Sequence, residues 1–486
     1  MTMTVGNLAH YVWHITAVGL GLLLSVLATG HAVLTKRDSR AAIAWVGFVW
    51  LVPLIGAVMY FIFGVNRIRH KASLQRRNLE RYRAQAEQPE CSSEELQRHL
   101  PDYVGHLQML VRVVGGMAER SLLPGNRIDP LVNGDEAYPA MLEAIQRANK
   151  TISLATYIFD RDEVGMAFAH ALGEAVRRGV EVRVLIDATG SRYSCPTILN
   201  TLRKEGVTYA RFLPFALWHL MSMNMHTHRK ILVADGRMGF TGGMNIREGH
   251  CPQRQPKKPV LDIHFRVQGP VVAQLQEVFA DDWLFTTGES LRGDSWFPKT
   301  DMVGQVLARG VVDGPDENFE KLFWTLLGAL SVARNSVRIM TPYFLPDPAV
   351  VSALNLAAMR GVQVDIILPS RINVPFVLSA SRAMWSQVLQ HGCRIWLTPP
   401  PFDHSKLMLV DSCWVLLGSA NWDSRSLRLN FEFNLECYDT ELAQRLDRLL
   451  KTRMDNARPV TLEEVNCRSL PDRLRDGIAY LLTPYL

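Results

Sequence analysis

Apolar residues are spread unevenly along the chain, and the longest apolar runs lie at its start. Residues 1–35 contain no Asp, Glu, Lys or Arg, and a second uncharged run covers residues 41–66. Residues 8–34 are long enough to cross about 30 Å of hydrocarbon as a helix. Because the second run follows without a small-residue cleavage site, a retained hairpin is favoured over a signal peptide or buried core helices. The pattern predicts a transmembrane helical hairpin.

Beyond the hairpin, short apolar runs alternate with helical patterns in two similar sets. Residues 148–157 resemble residues 333–343, since each segment is an apolar strand that ends in a tyrosine. A helical stretch follows each segment. A second strand comes after it, at residues 177–186 in the first set and at residues 360–368 in the second. This alternation predicts α/β domains with mostly parallel strand pairing, and the repetition predicts two tandem domains related by a pseudo-twofold axis.

The length of 486 residues exceeds the usual size of a single core. We expect the chain to divide into the hairpin (1–70), a basic juxtamembrane linker (71–120) and two domains (121–300 and 301–486).

One polar phrase occurs once in each predicted domain. Both copies read H-x-K-x(4)-D-x(6)-G-x-x-N, and they comprise His228, Lys230, Asp235, Gly242 and Asn245 in the first and His404, Lys406, Asp411, Gly418 and Asn421 in the second. With each residue type at roughly 5% usage, even three fixed positions recur by chance only about once in 8,000 placements. The repetition is therefore not accidental.

The spacing within each phrase fits a strand, a tight turn and a returning strand. Residues two apart in a strand share a face, so His228 and Lys230 project together, as do His404 and Lys406. The turn falls at the aspartate of each phrase, and the asparagine then returns beside its own histidine and lysine.

These residue types suit phosphoryl transfer from a phosphodiester. Lysines and amides aimed at one phosphorus stabilise the negative charge that develops on its oxygens in the transition state. One imidazole can attack phosphorus while the other, protonated, donates to the departing alkoxide. Each phrase supplies half of these groups.

The paired phrases resemble the HKD motifs of the phospholipase D superfamily, and the chain is most similar to bacterial cardiolipin synthases that carry an N-terminal membrane hairpin. The similarity extends to the short apolar C-terminus. It implies two phospholipase D-like α/β/α domains with one site at their junction, formed by the motif histidines, lysines and asparagines without a metal or another cofactor. It also implies that phosphatidylglycerol donates a phosphatidyl group, that glycerol leaves, and that a second phosphatidylglycerol accepts the group to give cardiolipin.

The resemblance also assigns roles to particular residues. A reactive imidazole needs its second nitrogen held, commonly by a carboxylate, and the positions that match the family's acidic partners are Asp262 and Glu432. Superfamily members commonly use the first-repeat histidine as the nucleophile. We therefore expect His228 to attack phosphorus and His404 to protonate the departing glycerol.

The two phrases differ at the residue after the glycine. The resemblance implies that a serine there binds the phosphate, which fits Ser419, whereas the first copy has Gly243. Asp235 and Asp411 complete the candidate catalytic set, although their place in tight turns favours a structural hydrogen-bonding role.

Four further features have two interpretations each. Tyr157 and Tyr343 end their strands and either line the pocket or, the favoured alternative, pack in the core. The apolar residues 212–225 either lie in the bilayer interface or pack internally. The basic loop at residues 251–259 either attracts lipid headgroups or is simply solvated.

Composition and charge indicate which binding partners and which cellular location to expect. A net charge of +6 suits an anionic membrane or nucleic acid; the hairpin favours the membrane, so we expect phosphatidylglycerol and anionic lipids, and no nucleic acid, as partners. Seven cysteines without close pairs predict neither a zinc site nor a disulfide framework. Basic residues are more numerous at 67–83 than at 36–40, which predicts a multi-pass protein of the bacterial inner membrane with cytosolic catalytic domains.

Two other functions are compatible with the sequence. A membrane-bound phospholipase D-type phosphodiesterase would use water as the acceptor. A non-catalytic lipid-binding scaffold would usually have lost a motif residue, whereas this chain retains both histidines and both lysines. The sequence leaves open the acceptor alcohol, the acyl-chain preference and the oligomeric state.

Overall fold

The computed structural model describes residues 5–36, 39–64, 91, 102–213, 225–316, 318–423, 425–481 and 483. The chain forms two compact units, Met1–Leu74 and Gln75–Leu486. The basic cluster at residues 67–83 and most of the apolar segment at residues 212–225 lie outside the described residues.

The first unit is helical. It contains α1 (Val5–Thr35), α2 (Ser39–Leu51), α3 (Pro53–Met59) and a π-helical turn (Tyr60–Gly64). Within the described part of the chain, α1 alone has a segment long and apolar enough to cross a membrane, at Trp13–Thr35. Helices α2 and α3 pack against α1.

The structure leaves the second arm of the predicted hairpin, at residues 41–66, unconfirmed. Pro53 separates α2 from α3, because proline has no amide hydrogen for the carbonyl one turn earlier and its ring crowds that carbonyl. Neither α2, with 13 residues, nor α3, with 7, reaches the roughly 20 residues of a spanning helix. The structure thus establishes one apolar helix of spanning length, and a second crossing remains a prediction.

The second unit contains nineteen described strands and a set of helices. The strands are β1 (Leu123–Val132), β2 (Thr151–Thr156), β3 (Glu181–Asp187), β4 (Thr208–Phe212), β5 (Ile231–Ala234), β6 (Met238–Gly242), β7 (Val260–Leu261), β8 (Ile263–Gln268), β9 (Val306–Asp313), β10 (Ser336–Met340), β11 (Phe344–Leu345), β12 (Gln363–Pro369), β13 (Arg394–Thr398), β14 (Phe402–Asp403), β15 (Leu407–Val410), β16 (Trp414–Gly418), β17 (Trp422–Asp423), β18 (Glu432–Tyr438) and β19 (Arg458–Val460). The helices are α4 (Gln108–Gly115), α5 (Asn133–Arg147), α6 (Glu163–Arg177), α7 (Leu199–Lys204), α8 (Val272–Thr287), α9 (Lys321–Val332), α10 (Pro348–Met359), α11 (Pro375–Arg382), α12 (Trp385–Leu389), α13 (Thr440–Asp455), α14 (Leu462–Asn466) and α15 (Leu470–Leu481).

One 15-stranded sheet runs through both halves, in the order β19-β13-β12-β10-β15-β16-β18-β9-β1-β8-β6-β5-β2-β3-β4. Apart from the edge strand β19, the order on one side of the β9·β1 pair repeats that on the other, as the predicted pseudo-twofold requires. The domain boundaries near residues 120 and 300 remain predictions.

The expectation of mostly parallel pairing is wrong. Parallel pairs occur between β2, β3 and β4 and between β10, β12 and β13, where helices connect the strands. The motif hairpins and the central strands β1, β8, β9 and β18 pair antiparallel. Sequence reasoning identified the first group by its alternation with helices and overlooked the central strands.

Helices cover both faces of the sheet. On one face, α8 and α13 share a buried cluster with strands of both halves, including Phe279, Phe265 and Phe433. On the other face, α5 and α6 cover the first half, and α4, α9 and α10 cover the second. The shared cluster joins the halves at the place where the motifs meet.

Candidate active site

The two motif hairpins form as predicted. Strands β5 and β6 pair antiparallel, as do β15 and β16. The turn residues Asp235, Gly236, Asp411 and Ser412 have φ between 51° and 63°, the left-handed conformation that two-residue hairpin turns of type I′ require. Each histidine and lysine therefore lies just before the first strand of its hairpin.

Backbone hydrogen bonds connect each motif to the opposite half. The His228 amide donates to the Phe431 carbonyl (2.9 Å), and the His404 amide donates to the Leu261 carbonyl (2.7 Å). In both cases the next residue of the accepting segment is the predicted orienting acid. The same local pairing thus occurs twice, once in each direction across the junction.

Each imidazole is held by a carboxylate from the other half. His228 Nδ1 lies 3.0 Å from Glu432 Oε1, and His404 Nδ1 lies 3.0 Å from Asp262 Oδ2. Both acids are fully buried, while the histidine side chains are 12% and 11% exposed. Each Nδ1 is engaged by its carboxylate, so the Nε2 atoms remain for chemistry. The sequence identified the four residues but not this exchange of partners.

The two lysines lie in the same site. Lys230 Nζ donates to the His228 carbonyl (2.6 Å), and Lys406 Nζ donates to the His404 carbonyl. Burial and the charge of Lys406 lower the pKa of Lys230 to about 7, and burial lowers the pKa of Lys406 to about 8. An anionic phosphodiester would stabilise both protonated ammonium groups.

The histidine pKa values respond to charges across the junction. Burial lowers the pKa of His228, with Glu432 opposing and Lys406 adding to the effect. Burial together with Lys406 and Lys230 lowers the pKa of His404 well below its ordinary value. Burial thus favours the neutral form of both imidazoles, and all four motif side chains share one electrostatic environment.

The pKa values of the two orienting carboxylates are shifted in opposite directions. Burial opposes ionisation of Glu432, but His228, Lys230 and the Ser419 hydroxyl together lower its pKa below the ordinary value. Burial raises the pKa of Asp262 to about 6, even though Lys406 opposes the shift.

The residue after the motif glycine contributes to this difference, beside the larger effects of His228 and Lys230 on Glu432. Ser419 Oγ lies 2.5 Å from Glu432 Oε2, to which it donates, and accepts from the Phe433 amide (3.0 Å). A Cβ atom at Gly243 would lie 2.6 Å from both Asp262 carboxylate oxygens, so only glycine leaves room for that carboxylate. The structure places the Ser419 hydroxyl, predicted to bind phosphate, on Glu432 instead.

The motif asparagines are buried beside their own strands. Asn245 Oδ1 accepts from the Ile158 amide (3.1 Å), next to Tyr157. Asn421 Nδ2 lies 3.3 Å from Ser426 Oγ, while its buried Oδ1 has no hydrogen-bond partner within the described residues. Within the described part of the chain, neither amide forms a hydrogen bond to a motif histidine or lysine.

The motif aspartates are bound to backbone rather than to the site. Asp235 accepts from the amides of residues 149–151 at 2.7–3.0 Å. Asp411 accepts from the amides of residues 334–336 at 2.7–2.9 Å and from His106 Nε2 at 2.6 Å. The structure does not bring these two carboxylates together with the histidines, and it assigns them the anchoring contacts that their turn position favours.

Replacing Asp411 with asparagine should therefore affect stability more than chemistry. Charge-assisted hydrogen bonds are worth about 1.5–3 kcal/mol each, and the buried carboxylate makes four of them. We expect the midpoint of thermal inactivation in detergent to fall by several degrees, with kcat at 20 °C within about threefold of wild type. A hundredfold loss of kcat without thermal destabilisation would instead place Asp411 in the reaction.

Sequence reasoning undervalued the two tyrosines. The Tyr157 ring lies 5.6 Å from that of His228, and the Lys230 ammonium lies 5.7 Å from the Tyr157 ring centre. The Tyr343 ring lies 6.3 Å from that of His404. Their equivalent places at the ends of β2 and β10 were the available signal, and core packing was wrongly favoured.

Two further residues were overlooked. Arg229, the middle residue of the first motif, forms a buried ion pair with Asp282 (2.6 Å) and donates to the Glu432 carbonyl (3.2 Å). His250 is buried 6.4 Å from the His404 ring. Both were visible as polar residues beside the motif, but only the fold shows what they contact.

The described residues include no group of three or more His, Cys, Asp or Glu side chains arranged to hold a metal ion.

Known proteins share both the motifs and the architecture. Residues 141–283 and 326–454 match the family described as cardiolipin synthase, PLD-like domain, and residues 23–64 match phospholipase D-nuclease N-terminal. The chain belongs to the PLD-like cardiolipin synthase family. Cardiolipin synthase A of Pseudomonas fluorescens Pf-5 is 33% identical over 97% of this chain and 99% of its own length. Cardiolipin synthase A of Pseudomonas putida GB-1 is 32% identical over 96% and 98%.

A solved structure supports the same fold. Phosphatidylserine synthase of Haemophilus influenzae superposes with a TM-score of 0.59 at 15% identity, covering 78% of this chain and 100% of its own. At that identity, the likeness concerns the fold.

Proposed function

We propose that this protein synthesises cardiolipin by transferring a phosphatidyl group from one phosphatidylglycerol to another. The reaction class rests on one observation: two histidine–carboxylate pairs, each formed across the junction, share a site with two lysines. Full-length similarity to cardiolipin synthase A supports the lipid product.

In the first step, His228 Nε2 attacks the phosphorus of phosphatidylglycerol, and the bond from phosphorus to the glycerol oxygen breaks. Protonated His404 gives its proton to that oxygen, so glycerol leaves and a phosphatidyl group remains on His228. The anionic substrate favours the protonated imidazole, which burial alone disfavours. Lys230, Lys406 and the amides of Asn245 and Asn421 stabilise the phosphate oxygens.

In the second step, the terminal hydroxyl of another phosphatidylglycerol loses its proton to neutral His404. Its oxygen attacks phosphorus, the bond to His228 breaks, and cardiolipin forms. Asp262 and Glu432 hold the imidazoles in the required tautomer throughout.

Product analysis tests this proposal. Purified protein given labelled phosphatidylglycerol should release cardiolipin and glycerol with little phosphatidic acid, and excess glycerol should drive the reaction backwards. The alternative, a membrane-bound phosphodiesterase that hydrolyses phospholipids, would give phosphatidic acid as the main product.

We further propose that the protein is a multi-pass protein of the bacterial inner membrane with its catalytic unit in the cytosol. The apolar helix α1 and the family relationship support membrane association, and the larger number of basic residues after the second apolar run supports this orientation.

Cysteine labelling tests the orientation. An impermeant maleimide applied to intact cells should label a cysteine placed at Ser39 and should miss the exposed Cys467. Permeabilised cells provide the control, since Cys467 should then react. Efficient labelling of Cys467 in intact cells would reverse the assignment.

A further inference from the structure

Helix α15 exposes a row of aliphatic side chains. Leu470, Leu474, Ile478 and Leu481 are 58–74% exposed, and their spacing places them on one face of the helix. Its opposite face is anchored, since Asp476 is buried. We call the four exposed residues the α15 stripe.

Helix α15 is fixed to α11 beside the active site. It packs against α11, and Arg468 links the two by donating to Asp476 (2.6 Å) and to the Arg382 carbonyl (3.2 Å). The start of α11 adds two exposed apolar side chains, Val374 at 40% and Phe376 at 38%.

This apolar surface adjoins the second half of the site. The Tyr343 hydroxyl donates to Asn373 Oδ1 (2.5 Å), just before α11 begins. The same tyrosine ring lies 6.3 Å from the His404 ring. One short segment therefore connects a catalytic imidazole, the exposed start of α11 and the α15 stripe.

We propose that the α15 stripe and the start of α11 dock into an anionic bilayer and hold the active site at the lipid surface. Aliphatic residues on one helix face beside exposed basic residues are typical of interfacial helices, which bury that face about 5–10 Å deep. Arg371 and Arg473 are exposed next to the apolar residues, and their charge suits anionic headgroups.

A bilayer fits this surface better than a second copy of the chain. One row of four aliphatic side chains is well short of the roughly 800 Å² that each partner buries in a stable protein interface. The proposal rests on the proposed function, because a lipid substrate must pass between the bilayer and the site.

Fluorescence in vesicles tests the docking directly. The full chain, with Cys91, Cys195 and Cys467 replaced by serine, carries a single nitrobenzoxadiazole label on Ile478→Cys and is reconstituted in phosphatidylcholine–phosphatidylglycerol vesicles. Acyl-chain spin-labelled lipids should quench this label strongly. A label on Lys451→Cys, at an exposed position of α13, should be quenched at most weakly. A blue-shifted label at residue 478 that lipid spin labels leave unquenched would mean burial by protein and would overturn the proposal.

Activity provides an independent readout. Leu474→Glu/Ile478→Glu should lower kcat/KM on vesicle phosphatidylglycerol at least tenfold and leave turnover of monomeric dihexanoyl-phosphatidylglycerol within twofold. The matched control, Gln444→Glu/Thr452→Glu on α13, adds the same charge and should change neither. Equal losses on both substrates would contradict a docking role. If even wild type converts neither substrate, the proposed function fails, while the quenching result still decides the docking.

Discussion

Replacement of His404 with alanine should leave a protein that still forms a phosphohistidine at His228, whereas replacement of His228 should leave none. Both variants should lose nearly all turnover of phosphatidylglycerol. General acid catalysis alone is typically worth about 10² to 10⁴ in rate, and loss of the nucleophile removes the covalent route entirely.

The two variants should differ in adduct formation when the leaving group of the substrate needs no proton. A phosphatidyl p-nitrophenol releases a stabilised phenolate, so His228 can attack it without help from His404. The His404→Ala protein should then accumulate a phosphatidyl group on His228, because neutral His404 is also needed to take the proton from the acceptor alcohol. Glu432 continues to hold the attacking imidazole in this variant.

Mass spectrometry of acid-labile, base-stable phosphopeptides measures the result. The matched control is His250→Ala, which removes a buried imidazole near His404 but leaves both proposed catalytic histidines. An adduct on His404 in the His228→Ala protein would reverse the assignment of roles. No adduct in any variant would contradict the covalent mechanism itself.

The duplicated motif made the reacting residues predictable from the sequence. Strand periodicity placed His228 with Lys230, and the turn at Asp235 predicted the hairpin that the structure contains. The partner of each histidine was not predictable, because it depends on a backbone contact between segments about 140 to 200 residues apart. The same contact brings Tyr157 and Tyr343 into the site, where the sequence alone favoured core packing.

Sequence patterns were also insufficient where contacts between distant segments determine the structure. The antiparallel pairing of the central strands β1 and β9 escaped prediction, because it joins segments from different halves of the chain. Pro53 divides the second apolar run, and the sequence interpretation did not take it into account. The role of Ser419 followed from resemblance, whereas its hydroxyl contacts the carboxylate that orients His228.

Because the pKa of Asp262 is raised and that of Glu432 is lowered, we expect protonation of Asp262 to cause a loss of kcat/KM at low pH, the acid limb of the pH profile. Above pH 6 its carboxylate is ionised and accepts the Nδ1 proton of His404; as the pH falls through about 6, Asp262 takes up a proton and loses this capacity. Glu432 remains ionised through the same range, since its pKa is lowered. The kcat/KM of wild type, which reports the free enzyme, should therefore fall as the pH decreases through about 6.

Substitution of each acid tests whether the acid limb of the pH profile belongs to Asp262. Glu432→Gln should lower the plateau of kcat/KM by about 10² to 10⁴, because the tautomer of His228 is no longer fixed, but it should keep the limb near pH 6. Asp262→Asn should lower the plateau to a similar degree and abolish the limb.

Ser419→Ala is the matched control for the chemistry of the carboxylate. It removes the hydroxyl that helps to keep Glu432 ionised, so the pKa of Glu432 should rise and a second acid limb should appear with only a modest loss at pH 8. A profile measured from pH 4.5 to 8.5 on monomeric phosphatidylglycerol resolves these cases. If the limb near pH 6 disappeared in Glu432→Gln and persisted in Asp262→Asn, the two acids would have the opposite ionisation behaviour, and the serine–glycine difference between the motifs would not set it.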